Sequence, residues 1–378
     1  CQSTAMHDQQ FLTDAELALL PDHLEHWKKS HPACGVLALV AEASKAQIPV
    51  LQSLCQGQNI PLAGAIFPRL IHGNSLIEQG MWLICFEHAP RFKLISGFSH
   101  DTAADTASIL ASLTPQLAPR RQTLFMLFDA MVPHIGSLLD GLYLELADRV
   151  SYIGLNAGSE SFQPLPCLFD NRQIVGNGLL WLLLDVPHGA VIAHGYHSQA
   201  PLVTASSTEG NAIVSIDWQP AFQVYQLLVK TRYGIELTPE NFYQYAAHFP
   251  FGILRANEES LVRIPVAVRE DGALLCVGEI PSNAVLALLH APDPGSDETI
   301  DQLVSRLPAR PGQPLLTFYC AGRRLHLQAT GQDELVMLQQ RSGATELFGA
   351  LTLGEIGHDS NWGYPVFHNG AIVCCPWS

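Results

Sequence analysis

One order of elements recurs three times in this chain, and it limits the fold more than any other feature. An apolar strand is followed by a helical segment, a second apolar strand that carries a glycine, a loop and a further strand. The first set is Gly35 to Val40, Pro49 to Leu54, Ile60 to Phe67 around Gly64, and Met81 to Phe86. The second is Thr123 to Phe128, Ile135 to Leu146, Val150 to Leu155 around Gly154, and, after a turn opened by Asn171, Gly178 to Leu184. The third is Pro314 to Tyr319, Gln332 to Gln340, Leu347 to Leu351 around Gly349, and, past a turn at His368-Asn369-Gly370, Ala371 to Cys375. About thirty residues separate the start of each first strand from its glycine. The strands are continuous apolar runs, the pattern of strands covered on both faces. Common descent of the three sets and a coincidence of α/β patterning are both open at this level. The strand count rules out an all-parallel barrel. The expected class is α/β (α+β), with mixed sheets flanked by helices and repeated strand-helix-strand units.

The rest of the chain divides around these sets. Residues 13–28 read as a helix with Thr13 or Asp14 at its cap, so residues 1–30 are expected to form an amino-terminal extension. Between sets two and three, Ala190 to His197 and Ala212 to Asp217 read as strands, and Ala221 to Tyr233 and Pro239 to Tyr245 as helices. Pro265 to Val268 and Ala273 to Val277 flank an Asp271-Gly272 turn as a hairpin, and a helix is capped near Ser296 or Asp297. Two domains follow, 31–220 and 221–378.

Composition narrows the function. Of 378 residues, 48% are apolar and 15% charged, against about 25% charged in ordinary soluble domains. Much of the chain is therefore expected to be buried or to face a partner. The net charge of -15 argues against nucleic acid, whose phosphates require basic patches. The nine cysteines show no CxxC spacing and sit mostly in apolar runs, as expected of buried small hydrophobes in a reducing compartment. The longest apolar run, Leu179 to Leu184, falls far short of the about 20 residues of a membrane span. No secretory leader opens the chain, Met6 reads as the natural start, and a cytoplasmic protein without membrane insertion is expected.

Candidate chemistry concentrates near the tail. Tyr319-Cys320-Ala321-Gly322-Arg323 ends an apolar strand with a thiol, a glycine and a guanidinium. Gly349-Ala350-Leu351-Thr352-Leu353-Gly354-Glu355-Ile356-Gly357 puts three glycines and one carboxylate in one short run. A cation beside Cys320 would lower the thiol pKa. Arg323 could hold a ligand carboxylate or a haem propionate in a bidentate pair, or serve a structural pair with Glu355. His194 and His197 could share a metal only if the chain turned at Gly195, because their spacing on a strand sends the rings to opposite faces. GxSxG, HExxH and P-loop motifs are absent.

These motifs, in this order, resemble the FIST family of sensory proteins over roughly 30–373. The carboxy-terminal likeness rests on Phe318 to Arg323, Gly349, Gly354 to Gly357 and Phe367-His368-Asn369. The amino-terminal likeness rests on Ile153 to Gly158, Gly178 to Leu184, and Gly195 with Val203-Thr204, and the run Ile216 to Tyr225 is similar to the family's junction. Leu155 and Ser159 depart from the family's usual glycine and aspartate, which argues against a phosphate or metal role for that loop. The resemblance implies a stand-alone sensor of a small ligand rather than an enzyme. Its ligand residues would be Cys320, Gly322, Arg323, Gly354, Glu355, Gly357 and Asn369, with His194 and His197 as metal ligands. The NosP group within the family implies haem, nitric oxide, and a sensor histidine kinase or a diguanylate cyclase or phosphodiesterase as partner, with a possible homodimer. The alternatives are a sensor of an amino acid or other metabolite, an enzyme using Cys320 or Glu355, and a ligand-free interaction scaffold.

Overall fold

The computed structural model describes residues 5–186, 188–256, 260–309, 311–358 and 363–377, apart from the side chains of 329 and 330. The first unit runs β1 (Met6–Leu12), α1 (Leu20–Ser30), β2 (Gly35–Ala41), α2 (Ile48–Gly57), β3 (Leu62–Phe67), a hairpin of β4 (Leu70–Gly73) and β5 (Ser75–Ile77), and β6 (Met81–Phe86). The second runs β7 (Arg91–Ser96), α3 (Thr102–Leu113), β8 (Gln122–Asp129), α4 (Ile135–Leu146), β9 (Val150–Ala157), a hairpin of β10 (Leu168–Asp170) and β11 (Ile174–Val175), and β12 (Gly178–Leu184). The third opens with β13 (Val191–Ala193) and is then interrupted. The inserted segment holds β14 (His197–Glu209), β15 (Ala212–Ile216), β16 (Gln219–Pro220), α5 (Ala221–Tyr233), α6 (Phe242–Ala246), β17 (Phe251–Leu254), β18 (Ser260–Arg263), β19 (Pro265–Val268), β20 (Leu274–Cys276) and β21 (Val285–His290). The third unit resumes with α7 (Glu298–Arg306), β22 (Leu315–Cys320), α8 (Ala321–Leu327), α9 (Ala329–Ser342), β23 (Leu347–Thr352), a hairpin of β24 (Glu355–His358) and β25 (Pro365–His368), and β26 (Ile372–Cys375).

Each unit builds a six-stranded sheet on the same plan. The centre is a parallel pair, β2–β3, β8–β9 or β22–β23. The unit's last strand and then its opening strand extend one side, giving β1-β6-β2-β3, β7-β12-β8-β9 and β13-β26-β22-β23. The other side is filled by a hairpin from a different unit. The second unit's β10–β11 joins β3, the third unit's β24–β25 joins β9, and the first unit's β4–β5 joins β23. The exchange is cyclic, so no unit completes its own sheet. The three sets are one repeated structural unit.

The recurrent glycine has a physical cause in this exchange. Gly64, Gly154 and Gly349 each lie opposite a large apolar residue of the incoming hairpin, respectively Phe169, Ile356 and Ile71. A Cβ on Gly64 would lie 2.2 Å from the Phe169 ring, and one on Gly154 would lie 2.9 Å from Ile356. Gly349 has φ +157, and a Cβ there would meet the Thr317 carbonyl at 1.7 Å. At Gly64 and Gly154 a missing side chain lets the hairpin close against the sheet, whereas at Gly349 it spares the Thr317 carbonyl of the neighbouring strand.

Side-chain alternation splits each sheet between two cores. In the third unit Leu315, Tyr319, Leu347, Leu351, Ile372 and Cys374 pack toward α7 and α9. Leu316, Phe318, Phe348, Ala350, Val373 and Cys375 face a core shared by all three units. Phe318 lies 6.4 Å from both Phe67 and Phe125 there. The adjacent pair Cys374-Cys375 thus contributes one small apolar group to each core. The eight described cysteines are all buried and free.

The inserted segment forms a smaller body with its own sheet and its own core around Tyr225, Phe251 and Leu288. The fold is therefore α/β in two domains, but the sequence boundary at 220 does not separate the bodies, because β22 to β26 complete the larger one. The residues before 31 are not an appendage either, since β1 pairs with β6 along its length. Residues 1–4 lie outside the described part. Among the described residues, no helix is long and apolar enough to cross a membrane.

We expect Gly64→Ala to destabilise the protein by about 1–3 kcal/mol or more through overpacking against Phe169. A urea titration should show a lower midpoint at an unchanged slope. An unchanged midpoint would mean that the hairpin does not close as described.

Candidate functional site

The carboxyl ends of β22 and β23 face the inserted body, and a cavity of about 230 Å³ lies between them. Crevices beyond the carboxyl ends of parallel strands are the usual ligand sites of such sheets. Ile264, Val266 and α6 residues Tyr243 and Ala246 form one wall. Cys320, Gly322, Leu325, Leu353 and Asn369 form the opposite one, and Glu160 and Phe162, after β9, close the side. Gly322 is required here, because a Cβ would lie 2.4 Å from the Ile264 methyl.

Cys320 ends β22, and its sulfur accepts the Gly370 N–H at 3.1 Å. Burial, then the Glu355 charge, pushes the thiol up to about 12, opposite to the lowering expected from a neighbouring arginine. Glu355 opens β24 and is fully buried. Its Oε1 accepts the Ala371 N–H at 2.9 Å and its Oε2 the Thr352 hydroxyl at 3.1 Å. Burial outweighs these bonds and pushes the carboxyl up to about 8. Asn369 is fully buried, and its Oδ1 accepts the Ile264 N–H at 3.0 Å. Its Nδ2 has no partner.

Arg323 does not face this cavity as a free cation. Its structural partner is Glu334, not Glu355. Nε and one terminal nitrogen hold the Glu334 carboxylate in a fork at 2.7 Å each. That second nitrogen also donates to Thr299 Oγ1 at 2.8 Å, and the third nitrogen donates to the His194 and Gly370 carbonyls. All five guanidinium donors are thereby used. Tyr319 adds a hydroxyl to the same Glu334 oxygen at 2.6 Å. Removing either partner of such a buried pair costs about 3–5 kcal/mol. Gly354, at φ +143, makes the bend between β23 and β24, where a Cβ would strike the Phe367 ring at 2.5 Å. Gly357 lies within β24, away from the cavity lining.

The two proposed metal histidines lie elsewhere, at a second cavity of about 510 Å³ that His358 and His368 also line. The chain does turn at Gly195, with φ +71, but the rings do not converge. His194 Nδ1 accepts the Tyr196 N–H at 2.9 Å and its Nε2 faces the Ser260 carbonyl at 3.2 Å, so neither nitrogen is left for iron. His197 faces Glu298 at 3.1 Å with 58% of its side chain exposed. Neither fits an axial ligand of a buried haem as it stands. His368 is different. Burial, then His194, pushes its imidazole down to about 3, and its Nδ1 is buried without a partner. Among the described residues, three ligating side chains come together only at His7, His31 and Glu87.

Sequence reasoning missed Glu334, Thr352 and the wall from the inserted segment. Thr352 stands three residues before Glu355, a spacing that could have suggested the hydroxyl contact. Nothing local marks Glu334 or Ile264.

Because Glu355 holds its proton more tightly folded than unfolded, it favours folding fully below about pH 4.5, and this contribution is lost as pH rises through about 8. Glu355→Gln escapes that loss. Urea titrations from about pH 5 to about pH 9 should therefore show the variant gaining on the wild type as pH rises. A constant difference would contradict the burial of an ionisable carboxyl here.

A family model described as the FIST N domain matches residues 36–219, and one described as the FIST C domain matches 221–358. No curated protein matches the chain. The site draws Glu160 and Phe162 from the first matched part and most of its other walls from the second, while Asn369 lies beyond the matched residues. The chain belongs to the FIST family of sensory domains for small ligands.

Proposed function

We propose that this protein is a sensor whose ligand occupies the cavity bounded by Cys320, Asn369 and α6. The observation that carries this reading is the unpartnered Nδ2 of the fully buried Asn369 at a cavity lined by both FIST parts. A buried donor without an acceptor costs about 1–3 kcal/mol, and because Nδ2 is enclosed, a ligand oxygen would recover this once the amide turns toward the cavity. The volume of about 230 Å³ lies below the about 300–1,000 Å³ of drug-sized sites, so the ligand is small. Arg323 is saturated and the walls are mostly apolar, which favours an uncharged ligand over an amino acid or other carboxylate. Occupancy would fix α6 and β19 against the third unit, and a signalling partner, such as a kinase or a cyclic-di-GMP enzyme, would read that change. A coupling of about 1–3 kcal/mol between ligand and partner is the usual scale.

A second reading places haem in the histidine cavity. It is favoured by the buried, neutral His368, whose Nδ1 lacks a partner. Haem would supply an iron for nitric oxide, and His368 rather than His194 or His197 would hold it.

The test is calorimetry with small neutral amides, alcohols and carbonyl compounds on wild type and Leu325→Trp. Leu325 is 40% exposed at the cavity, so tryptophan there should block it without unfolding the protein. Binding to wild type at least tenfold tighter than to the variant supports the reading, and equal binding or none removes it. Added haem separates the second reading: a Soret band that His368→Ala abolishes supports it, and its absence in wild type ends it.

A further inference from the structure

The threefold repeat supplies an internal control for the site. By register, Glu355 opposite Leu155 corresponds to Leu168 opposite Ala65 and to Leu70 opposite Ala350. Two units place a leucine there, and the third places a carboxylic acid that is fully buried. An acid in a leucine's position costs desolvation, which its bonds to the Ala371 N–H and the Thr352 hydroxyl do not fully offset. The same comparison aligns Cys320, opposite Thr352, with Asp129, opposite Ala157, and with Ala41, opposite Phe67. Asp129 spends its carboxylate on the Met131 and Asn177 N–H groups. Cys320 accepts the equivalent turn N–H, from Gly370, and in addition lines a cavity. The third unit alone thus combines a thiol, an adjacent carboxyl and an unpartnered amide donor at Asn369.

We propose that Cys320 captures a small aliphatic aldehyde as a reversible hemithioacetal, with Glu355 as its proton acceptor and Asn369 as the donor to the carbonyl oxygen. This inference rests on the reading that the cavity takes a ligand, and it names the ligand's class. An aldehyde offers at once the electrophilic carbon that a thiol needs and the oxygen that Asn369 Nδ2 lacks. The sulfur–carbon bond forms as the carbonyl π bond breaks. Protonated Glu355 gives its proton to the new alkoxide as its carboxyl takes the thiol proton, giving a neutral adduct with nothing oxidised or reduced. The apolar walls suit a short alkyl chain, and Tyr243 and Leu325 leave little room for more. Capture without a leaving group is stoichiometric, which suits a sensor rather than a turnover enzyme.

The experiment compares butanal with butanamide, its non-electrophilic counterpart, by calorimetry on wild type, Cys320→Ser and Glu355→Gln. Wild type should bind butanal at least tenfold tighter than butanamide. Cys320→Ser should erase that preference. Glu355→Gln should slow butanal capture. Carbon-13 NMR of wild type with butanal labelled at its carbonyl should show a tetrahedral carbon, and this decides the matter even if a variant fails to fold. Butanamide binding with no butanal preference and no tetrahedral signal overturns the covalent step while the ligand site stands. Binding of neither compound overturns the ligand site and this inference together.

Discussion

The constraint on which this structure depends is the contact between a strand glycine and a hairpin that belongs to another unit. Gly64 and Gly154 leave the sheet surface bare where Phe169 and Ile356 arrive, and Gly349 stands opposite Ile71. Because the exchange runs from second unit to first, third to second and first to third, the three sheets are closed by one another. The large shared core around Phe67, Phe125 and Phe318 is built from strands of all three units. A single unit would expose an unpaired edge beside its central parallel pair, so separate folding of one unit is disfavoured.

This explains what could be read from the residues. The central strands and Ile135 to Leu146, Gly178 to Leu184 and Ala221 to Tyr233 were legible because apolar runs and helical periods are local signals. The glycine in each second strand was legible as a mark but not as a cause, since its partner lies in a different unit. The hairpins β4–β5, β10–β11 and β24–β25 escaped notice because their strands are two to four residues long. The boundary at 220 follows the family's division of the sequence, whereas the space is divided by an insertion within the third unit. Pattern along the chain carries no information about which sheet a strand joins.

The site shows the same division. Cys320, Gly322, Asn369 and Glu355 come together through the turn before β26, whose Gly370 and Ala371 N–H groups reach the thiol and the carboxyl. Arg323 looked like a ligand cation because sequence shows charge but not saturation. Its five donors are used by Glu334, Thr299 and two carbonyls, three of which come from distant segments. His194 likewise looked like a ligand until its two nitrogens were traced to Tyr196 and Ser260.

Arg323 also explains why the cavity is poised between the bodies. Its guanidinium ties β22 and α8 to Glu334 of α9, to Thr299 of α7 and to the turn at Gly370, so the third-unit side of the site is rigid. The opposite wall meets that side through Ile264, whose N–H bonds Asn369 Oδ1, and through the buried Arg263, whose guanidinium donates to the Phe367 carbonyl at 2.8 Å. A ligand that engages Asn369 Nδ2 therefore acts on a residue that already links the inserted body to the third unit. If the proposed ligand binds there, it acts beside the Asn369 and Arg263 contacts that join the two bodies, so its binding is coupled to their packing.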